Sequence, residues 1–299
     1  MLREIAELGF EYAELSHGIR VSLVPGILAA VDAGEIKIST LHNFCPLPMG
    51  INHAAPNIYE FSSEDGRERS NALKHTLKTI EFAVRVNAKL IVMHSGSMIF
   101  KSGFFDRVFG EGKLEFTHRL EGLLEKGQDG TEEYSNLVAQ AMSCQEQYHE
   151  DAARRSIDLY QTIATRAAEN DLLLGIENRE ALEEIPVDSE FGAFLDQLPG
   201  DTVRYWHDCG HGQIKENLGF INHVGQVETM SPRLGGFHIH DVGFPGKDHQ
   251  PPGKGTIDFA ALKPFAKPDH IKVFEMSPGL SADEVLGGVA HLKSVWGAE

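Results

Sequence analysis

The chain of 299 residues carries 27 Lys and Arg against 44 Asp and Glu, a formal net charge of −17. So acidic a protein is disfavoured as a nucleic-acid binder, because contacts to a phosphate backbone depend on Lys and Arg. No apolar run approaches the roughly 20 residues of a membrane-spanning helix. The three cysteines, which have no CxxC spacing, favour a reducing compartment, so we expect a cytoplasmic protein without a membrane partner.

Apolar strands and amphipathic helices alternate along the chain, which is typical of a parallel sheet. Before residue 100 the sequence predicts a helix over 2–8, a strand over 12–17, a helix over 23–33, a strand over 36–44, a helix over 67–86 and a strand over 89–93. Residues 97–150 break the alternation with glycine and polar clusters, and we interpret them as a helical insertion after the strand that ends in His94.

The alternation resumes at Asp151. The later predicted elements are a helix over 153–167, a strand over 172–176, a helix over 190–198, strands over 203–206 and 235–242, a helix over 260–265, a strand over 270–274 and a helix over 281–295 with a Ser281/Glu284 capping box. Seven strands in a single domain of residues 1–299 predict an α/β fold, a (β/α)8 TIM barrel. An open doubly wound sheet is the alternative, but no GxGxxG follows a first strand.

The first strand of such a barrel is missing from the sequence, because the chain starts inside the helix over 2–8. We therefore expect the natural protein to begin upstream of Met1.

Each predicted strand ends in a side chain that can bind a metal or carry a proton, and in this fold the active site lies at the carboxyl ends of the strands. These side chains are His17, His42, His94, Glu177, Asp208, His238 and Glu275. Four consecutive strands thus present three carboxylates and one imidazole at one rim, a set that suits Mn²⁺, Mg²⁺ or Co²⁺ and also Zn²⁺. The alternative is a hydrogen-bonded polar cluster, which we disfavour because clustered buried carboxylates are costly without a cation.

In order and spacing these residues resemble the xylose isomerase-like TIM barrels, the sugar phosphate isomerase and epimerase superfamily that also includes the apurinic-site endonucleases. The motifs are Glu177-Asn178, Asp208-x-x-His211, His238-x-x-Asp241, the segment 252–259 and Glu275. The resemblance covers residues 2–299 apart from 97–150. It implies that Glu177, Asp208, His238 and Glu275 bind a catalytic divalent metal, for which we favour Mn²⁺.

The expected activity is that of a metal-dependent isomerase or epimerase acting on a sugar or sugar phosphate. Glu177 and Glu275 would move the proton next to a substrate carbonyl through a metal-stabilised enediolate. The substrate-binding candidates are His211, His240, Arg179, His94, His42 and His249. Arg179 fits a surface ion pair equally well, His240 could instead brace Asp241, and His42 and His94 match histidines that bind additional zinc in the endonuclease branch.

Three alternatives stay open. A sugar dehydratase needs the same proton abstraction, and a non-catalytic binding barrel needs none. An apurinic-site endonuclease is disfavoured by the acidic charge and by Lys247, which stands where a zinc-binding Asp is needed, with Asp248 out of register. For Glu14, His17, His207 and Cys209 a structural role is favoured. The partner is a small molecule, and the sequence leaves room for a homo-oligomer.

Overall fold

The computed structural model describes residues 2–100 and 115–297. It contains β1 Tyr12–Leu15, β2 Lys37–His42, β3 Leu90–Met93, β4 Leu173–Glu177, β5 Val203–Asp208, β6 Leu234–Ile239, β7 Asp241–Gly243, β8 Lys247–Gln250 and β9 Ile271–Phe274. Seven of these strands form one parallel sheet in the order β1-β2-β3-β4-β5-β6-β9, and β7 and β8 form a separate antiparallel hairpin. The sheet curves until its two edges approach, with the rings of Phe10 and Phe274 6.1 Å apart. The prediction of a TIM-type α/β barrel is confirmed.

The helices alternate with the barrel strands along the chain. They are α1 Leu2–Glu7, α2 Val24–Asp32, α3 Gly66–Arg85, α4 Thr117–Leu124, α5 Glu132–Ala168, α6 Phe191–Asp196, α7 Cys209–Asn217, α8 His223–Met230, α9 Phe259–Leu262 and α10 Ala282–Trp296. The capping box of Ser281 and Glu284 at the start of α10 is present. None of the helices in the described ranges is both long enough and apolar enough to cross a bilayer.

The barrel interior is closed by a small apolar layer below the carboxyl ends of the strands. Leu90, Val92 and Trp206 are fully buried there, and Trp206 lies under His238 with ring centroids 5.1 Å apart. Gly236 makes room for the indole, because a Cβ at this position would lie 2.4 Å from Trp206 Cζ3. The polar side chains at the strand ends therefore pack directly against this apolar layer.

The segment predicted as an insertion is built differently from the prediction. Helix α5 begins at Glu132, where the Thr131 side chain caps it, and continues without a break to Ala168. The reason is that buried Tyr134, Leu137 and Ala141 extend the apolar face of the barrel helix backwards. The second half of 97–150 is thus an extension of a barrel helix, while the expectation for residues 101–114 lies outside the described residues.

The strand predicted over 235–242 is also shorter than expected. β6 ends at Ile239, and Asp241 begins the β7–β8 hairpin, which the sequence had indicated only as a loop. The buried carboxylate of Asp241 accepts hydrogen bonds from the backbone nitrogens of Gly253, Gly255 and Ile257 at 2.8–3.1 Å. Because these donors come from the loop beyond the hairpin, Asp241 turns the chain out of the barrel sheet.

Candidate metal centre

Four consecutive barrel strands bring Glu177, Asp208, His238 and Glu275 to one point at the mouth of the barrel. From His238 Nδ1 the distances are 2.6 Å to Glu177 Oε1, 2.8 Å to Glu275 Oε2 and 3.7 Å to Asp208 Oδ2. One potential ligand atom from each of the four lies within 4.8 Å of the others. The three residues at the ends of β4, β5 and β6 are almost fully buried, whereas the Glu275 side chain is 24% exposed.

The charges in this cluster depend on one another. Burial alone would lower the pKa of His238, but the charges of Glu275, Glu14 and Glu177 raise it well above its usual value. Burial likewise acts to raise the pKa of Glu177, yet the charge of His238 and hydrogen bonds from His238, His42 and His94 hold it well below its usual value. Carboxylates packed this closely require a positive charge among them, which an imidazolium or a divalent cation can supply.

The other oxygen of Glu177 faces two more histidines. Glu177 Oε2 lies 2.7 Å from His94 Nε2 and 3.6 Å from His42 Nε2. The Nδ1 atoms of both rings face acceptors, with His42 Nδ1 3.2 Å from the Asn43 carbonyl and His94 Nδ1 2.9 Å from Asn57 Oδ1. Without a cation these rings hydrogen-bond to Glu177 through Nε2. With a cation bound, each would be a neutral imidazole that donates through Nδ1 and presents a lone pair at Nε2. His42, His94 and Glu177 therefore form a second set with ligand atoms close enough for a cation.

Arg179 completes a closed ring of side chains on this side of Glu177, in which Glu177, His94, Arg179 and Glu184 are buried and Asn57 is exposed. Its Nη1 donates to Glu177 Oε2 and its Nε donates to Glu184 Oε1, both at 3.0 Å. Asn57 Nδ2 donates to the same Glu184 oxygen at 3.3 Å and links back to His94 through its own Oδ1. Burial acts to raise the pKa of Glu184, but the charge of Arg179 lowers it. Glu184 and Asn57 were missed by sequence reasoning, since each lies in a polar loop without a strand-end position.

The third group of side chains surrounds Asp248. His240 lies between two carboxylates, with Nε2 3.0 Å from Asp208 Oδ2 and Nδ1 2.9 Å from Asp248 Oδ1. His211 Nε2 lies 3.9 Å from Asp248 Oδ2, and the ring of His249 stacks on that of His240 with centroids 4.5 Å apart. The structure thus brings His211, His240 and His249 together around Asp248, the residue that the sequence register had set aside.

His207 and Cys209 alternate away from the metal cluster, as their positions on either side of Asp208 predicted. His207 is fully buried between Tyr205 and His223, with nitrogen contacts of 2.9 Å to each. The carboxylate of Glu14, for which a structural role was favoured, reaches His238 across the barrel at 3.1 Å. His17 lies beside His42 at the rim, with ring centroids 4.9 Å apart.

Comparisons with solved structures show the same fold. The structure of 3-keto-D-glucoside 4-epimerase from Escherichia coli is 17% identical, with a TM-score of 0.66 over 98% of this chain and 92% of that one. A D-tagatose 3-epimerase-like protein is 15% identical, with a TM-score of 0.66 over 98% and 90% of the two chains. D-psicose 3-epimerase crystallised in the presence of D-fructose is 15% identical, with a TM-score of 0.65 over 99% and 93%.

Sequence comparison gives the family. No curated protein matches the chain significantly. A family model described as "Xylose isomerase-like TIM barrel" matches residues 2–276, nearly the whole chain. The chain therefore belongs to the xylose isomerase-like TIM barrel family.

Proposed function

We propose that the chain is a divalent-metal-dependent epimerase or isomerase of a sugar. The observation that carries the proposal is the convergence of Glu177, Asp208, His238 and Glu275 from four consecutive strands, with ligand atoms within 4.8 Å of one another. The structural neighbours named as sugar epimerases support the substrate class, although their low identity shows only a common fold. The proposed location is the cytoplasm, as the cysteine usage suggested.

The donor set fits a divalent cation. Three carboxylate oxygens and one imidazole nitrogen match the preference of Mn²⁺, which is our first choice, and are compatible with Mg²⁺, Co²⁺ or Zn²⁺. Glu177, Asp208, His238 and Glu275 would hold the ion. When bound there, the ion supplies Lewis-acid polarisation of a substrate carbonyl, which acidifies the neighbouring C–H bond.

The two glutamates are placed for proton transfer in different ways. Glu275 is the more exposed, so its carboxylate is reachable from the barrel mouth and is the proposed base that removes the proton next to the carbonyl. Glu177 is almost completely buried and held by His94 and Arg179, so it is the proposed partner on the other side, where it would first take up a solvent-derived proton and then return it to the carbon. Return to the opposite face of the same carbon epimerises the sugar, and return to the neighbouring carbon isomerises it.

The substrate proposed is an unphosphorylated sugar. A phosphate group needs a cation that is free to bind it, usually Arg or Lys. Arg179 was the sequence candidate for this role, but its Nε and Nη1 atoms are engaged by Glu184 and Glu177. We therefore propose that Arg179 orders the site and that His211, His240 and His249 lie nearest to the hydroxyl groups of the sugar.

The test is turnover of a panel of free ketoses and their phosphates in D₂O by protein stripped with EDTA and then loaded with Mn²⁺. We expect an epimer or isomer that carries solvent deuterium, formed only with metal, and no loss of water. Asp208→Asn should be inactive, while Asp201→Asn, which changes an exposed acid just before the same strand, should retain activity. Absence of product and of deuterium exchange with every sugar would refute the proposal, and loss of water would identify a dehydratase.

A second candidate, an apurinic-site endonuclease-type hydrolase, is favoured by one observation. Four overlapping ligand sets lie along the mouth among the described residues. One is built around His42 and His94 and one around His238, and the other two share Asp248, one with His240 and His249 and one with Glu180 and His211. The net charge of −17 argues against DNA as substrate. Metal counting by mass spectrometry and incision of abasic DNA decide between them, because the hydrolase needs three zinc ions and cuts the strand.

A further inference from the structure

We propose that Glu14 is a positioning residue for the metal centre, fixing His238 so that its Nδ1 faces the ion. This inference rests on the proposed function, since it concerns the same cluster. Glu14 lies on β1 and His238 on β6, strands that are far apart in the sheet order. Their side chains nevertheless meet inside the barrel, with His238 Nε2 3.1 Å from Glu14 Oε1 and 3.3 Å from Oε2.

The two nitrogens of His238 face different surroundings. Nδ1 is directed at the cluster of Glu177, Glu275 and Asp208, whereas Nε2 has Glu14 as its partner. A histidine that binds a metal through one nitrogen carries its proton on the other, and that N–H needs an acceptor inside a protein. The ring is fully buried and the Glu14 side chain is only 7% exposed, so water is a poor substitute for the carboxylate.

Glu14 is itself held in place. Thr40 stands opposite Glu14 in the register of β1 and β2, and its Oγ1 donates to Glu14 Oε2 at 2.7 Å. Thr40 is fully buried, and its hydroxyl also lies 3.3 Å from Ser39 Oγ. The result is a chain from Thr40 through Glu14 to His238 that fixes both the ring orientation and the tautomer of the metal-facing histidine.

This arrangement predicts how substitutions of Glu14 and Thr40 change the affinity for metal. Partners of metal-binding histidines change metal affinity about 10- to 100-fold when they are removed. Glu14→Ala should therefore weaken metal binding by about that factor, because the Nε2–H loses its acceptor. Glu14→Gln keeps an oxygen that can accept from Nε2 and should recover most of the affinity. Thr40→Val leaves the carboxylate present but loose and should give a smaller loss.

The experiment titrates Co²⁺ into metal-free wild type, Glu14→Ala, Glu14→Gln and Thr40→Val, following the visible absorption spectrum and competition with a chelator. Glu11→Gln is the matched control, because Glu11 is an exposed neighbour on the same segment that pairs with Lys37. Circular dichroism checks that each variant is folded. If Glu14→Ala does not fold, the proposal is tested with Glu14→Gln and Thr40→Val. The expected result is a weaker, spectrally altered Co²⁺ site in Glu14→Ala and a near-wild-type site in Glu14→Gln.

Three results that would overturn the proposal can be told apart. If wild type binds no Co²⁺, or binds it equally well after Asp208→Asn, the proposed metal centre is wrong, and the role of Glu14 is overturned with it. If wild type binds Co²⁺ but Glu14→Ala and Thr40→Val bind it with the same affinity and spectrum, only the role of Glu14 is overturned. A Co²⁺ spectrum in Glu14→Gln as altered as that in Glu14→Ala would show that Glu14 acts through its charge or as a ligand rather than as an acceptor, which also overturns the proposal.

Discussion

Arg179 Nη1 lies 3.0 Å from Glu177 Oε2, so a buried guanidinium neutralises the back of the carboxylate whose front faces the proposed metal. The same guanidinium pairs with Glu184 at 3.0 Å. Both glutamates are buried and need this charge, because a carboxylate left unpaired inside a protein is strongly destabilising. The ion pairs with Glu177 and Glu184 account for the position of Arg179, so no contact with a substrate is needed to explain it.

Arg179→Met is expected to lower the free energy of unfolding by about 3 to 5 kcal/mol, the usual effect of leaving one partner of a buried ion pair. Glu184→Gln in the same protein should restore part of the loss, since the carboxylate that had lost its partner is then neutral. Urea unfolding of wild type, both single variants and the double variant measures the coupling. Additive effects of the two substitutions would contradict the pairing.

Metal binding is expected to raise the stability of the folded chain, because the ligands come from four strands and meet only when the barrel is formed. At a metal concentration 100 times the dissociation constant, the gain is about 2.7 kcal/mol. Thermal unfolding of EDTA-treated protein with and without Mn²⁺ measures it. Asp208→Asn should lose most of this gain and Asp201→Asn should keep it. An equal gain in both variants would place the ion elsewhere.

The barrel could be predicted from the sequence because its signals are local and repeated. Strands such as β3 are apolar and fully buried, and helices such as α3 carry a regular apolar stripe. Parallel strands bring their carboxyl ends to one rim of the barrel, so the fold itself fixes where a strand-end residue lies. For this reason the sequence was enough to group Glu177, Asp208, His238 and Glu275.

The rest of the site depends on contacts that leave no local pattern. Asp248 lies on a hairpin whose position is fixed by Asp241 and the loop over 253–257, so no local pattern in the sequence indicates its contacts with His240 and His211. Glu14 meets His238 only because the sheet is curved into a barrel, and its distance along the chain gives no hint of the contact. The start of α5 was missed because the Thr131 cap lies within a polar stretch that obscures the apolar stripe behind it.

A pH-dependent effect on stability is expected from a histidine outside the metal centre. Burial lowers the pKa of His223 from 6.5 to about 4, the opposing charges of Glu216 and Asp208 being smaller. The unfolded chain therefore binds more protons than the folded chain between these two values, so stability must fall as the pH is lowered through that range. For this one group the loss between pH 7 and pH 5 is about 2 kcal/mol.

Urea unfolding at pH 7 and pH 5 checks this expectation. His223→Gln should lose about 2 kcal/mol less than wild type over the same interval, whatever its stability at pH 7. The difference between the two proteins is the measured quantity, since buried histidines that do not contact His223 contribute equally to both. Only His207, which contacts His223 at 2.9 Å, changes with it. His291→Gln, which changes an exposed histidine on α10, should follow wild type. If His223→Gln lost as much unfolding free energy between pH 7 and pH 5 as wild type does, His223 would not be buried in its neutral form.

Gly210 tests whether the hairpin really lies against the start of α7. A Cβ at this position would lie 2.0 Å from His240 Cε1 and 2.5 Å from Asp248 Oδ1, closer than any real contact. Both neighbours are held by other partners, the ring of His240 by Asp208, so neither can move cheaply. Gly210→Ala should therefore destabilise the protein by about 1 to 3 kcal/mol and displace the hairpin, despite the better helix propensity of alanine.

The matched control is Gly287→Ala, in the exposed part of α10 where a Cβ meets no atom within 4 Å. There the substitution should stabilise by about 0.5 to 1 kcal/mol, because only the helix propensity changes. Thermal unfolding gives both values, and hydrogen exchange of residues 247–250 reports the hairpin. If Gly210→Ala were as stabilising as Gly287→Ala and left that exchange unchanged, Asp248 would have to lie away from His240. The third group of side chains at the barrel mouth would then be absent.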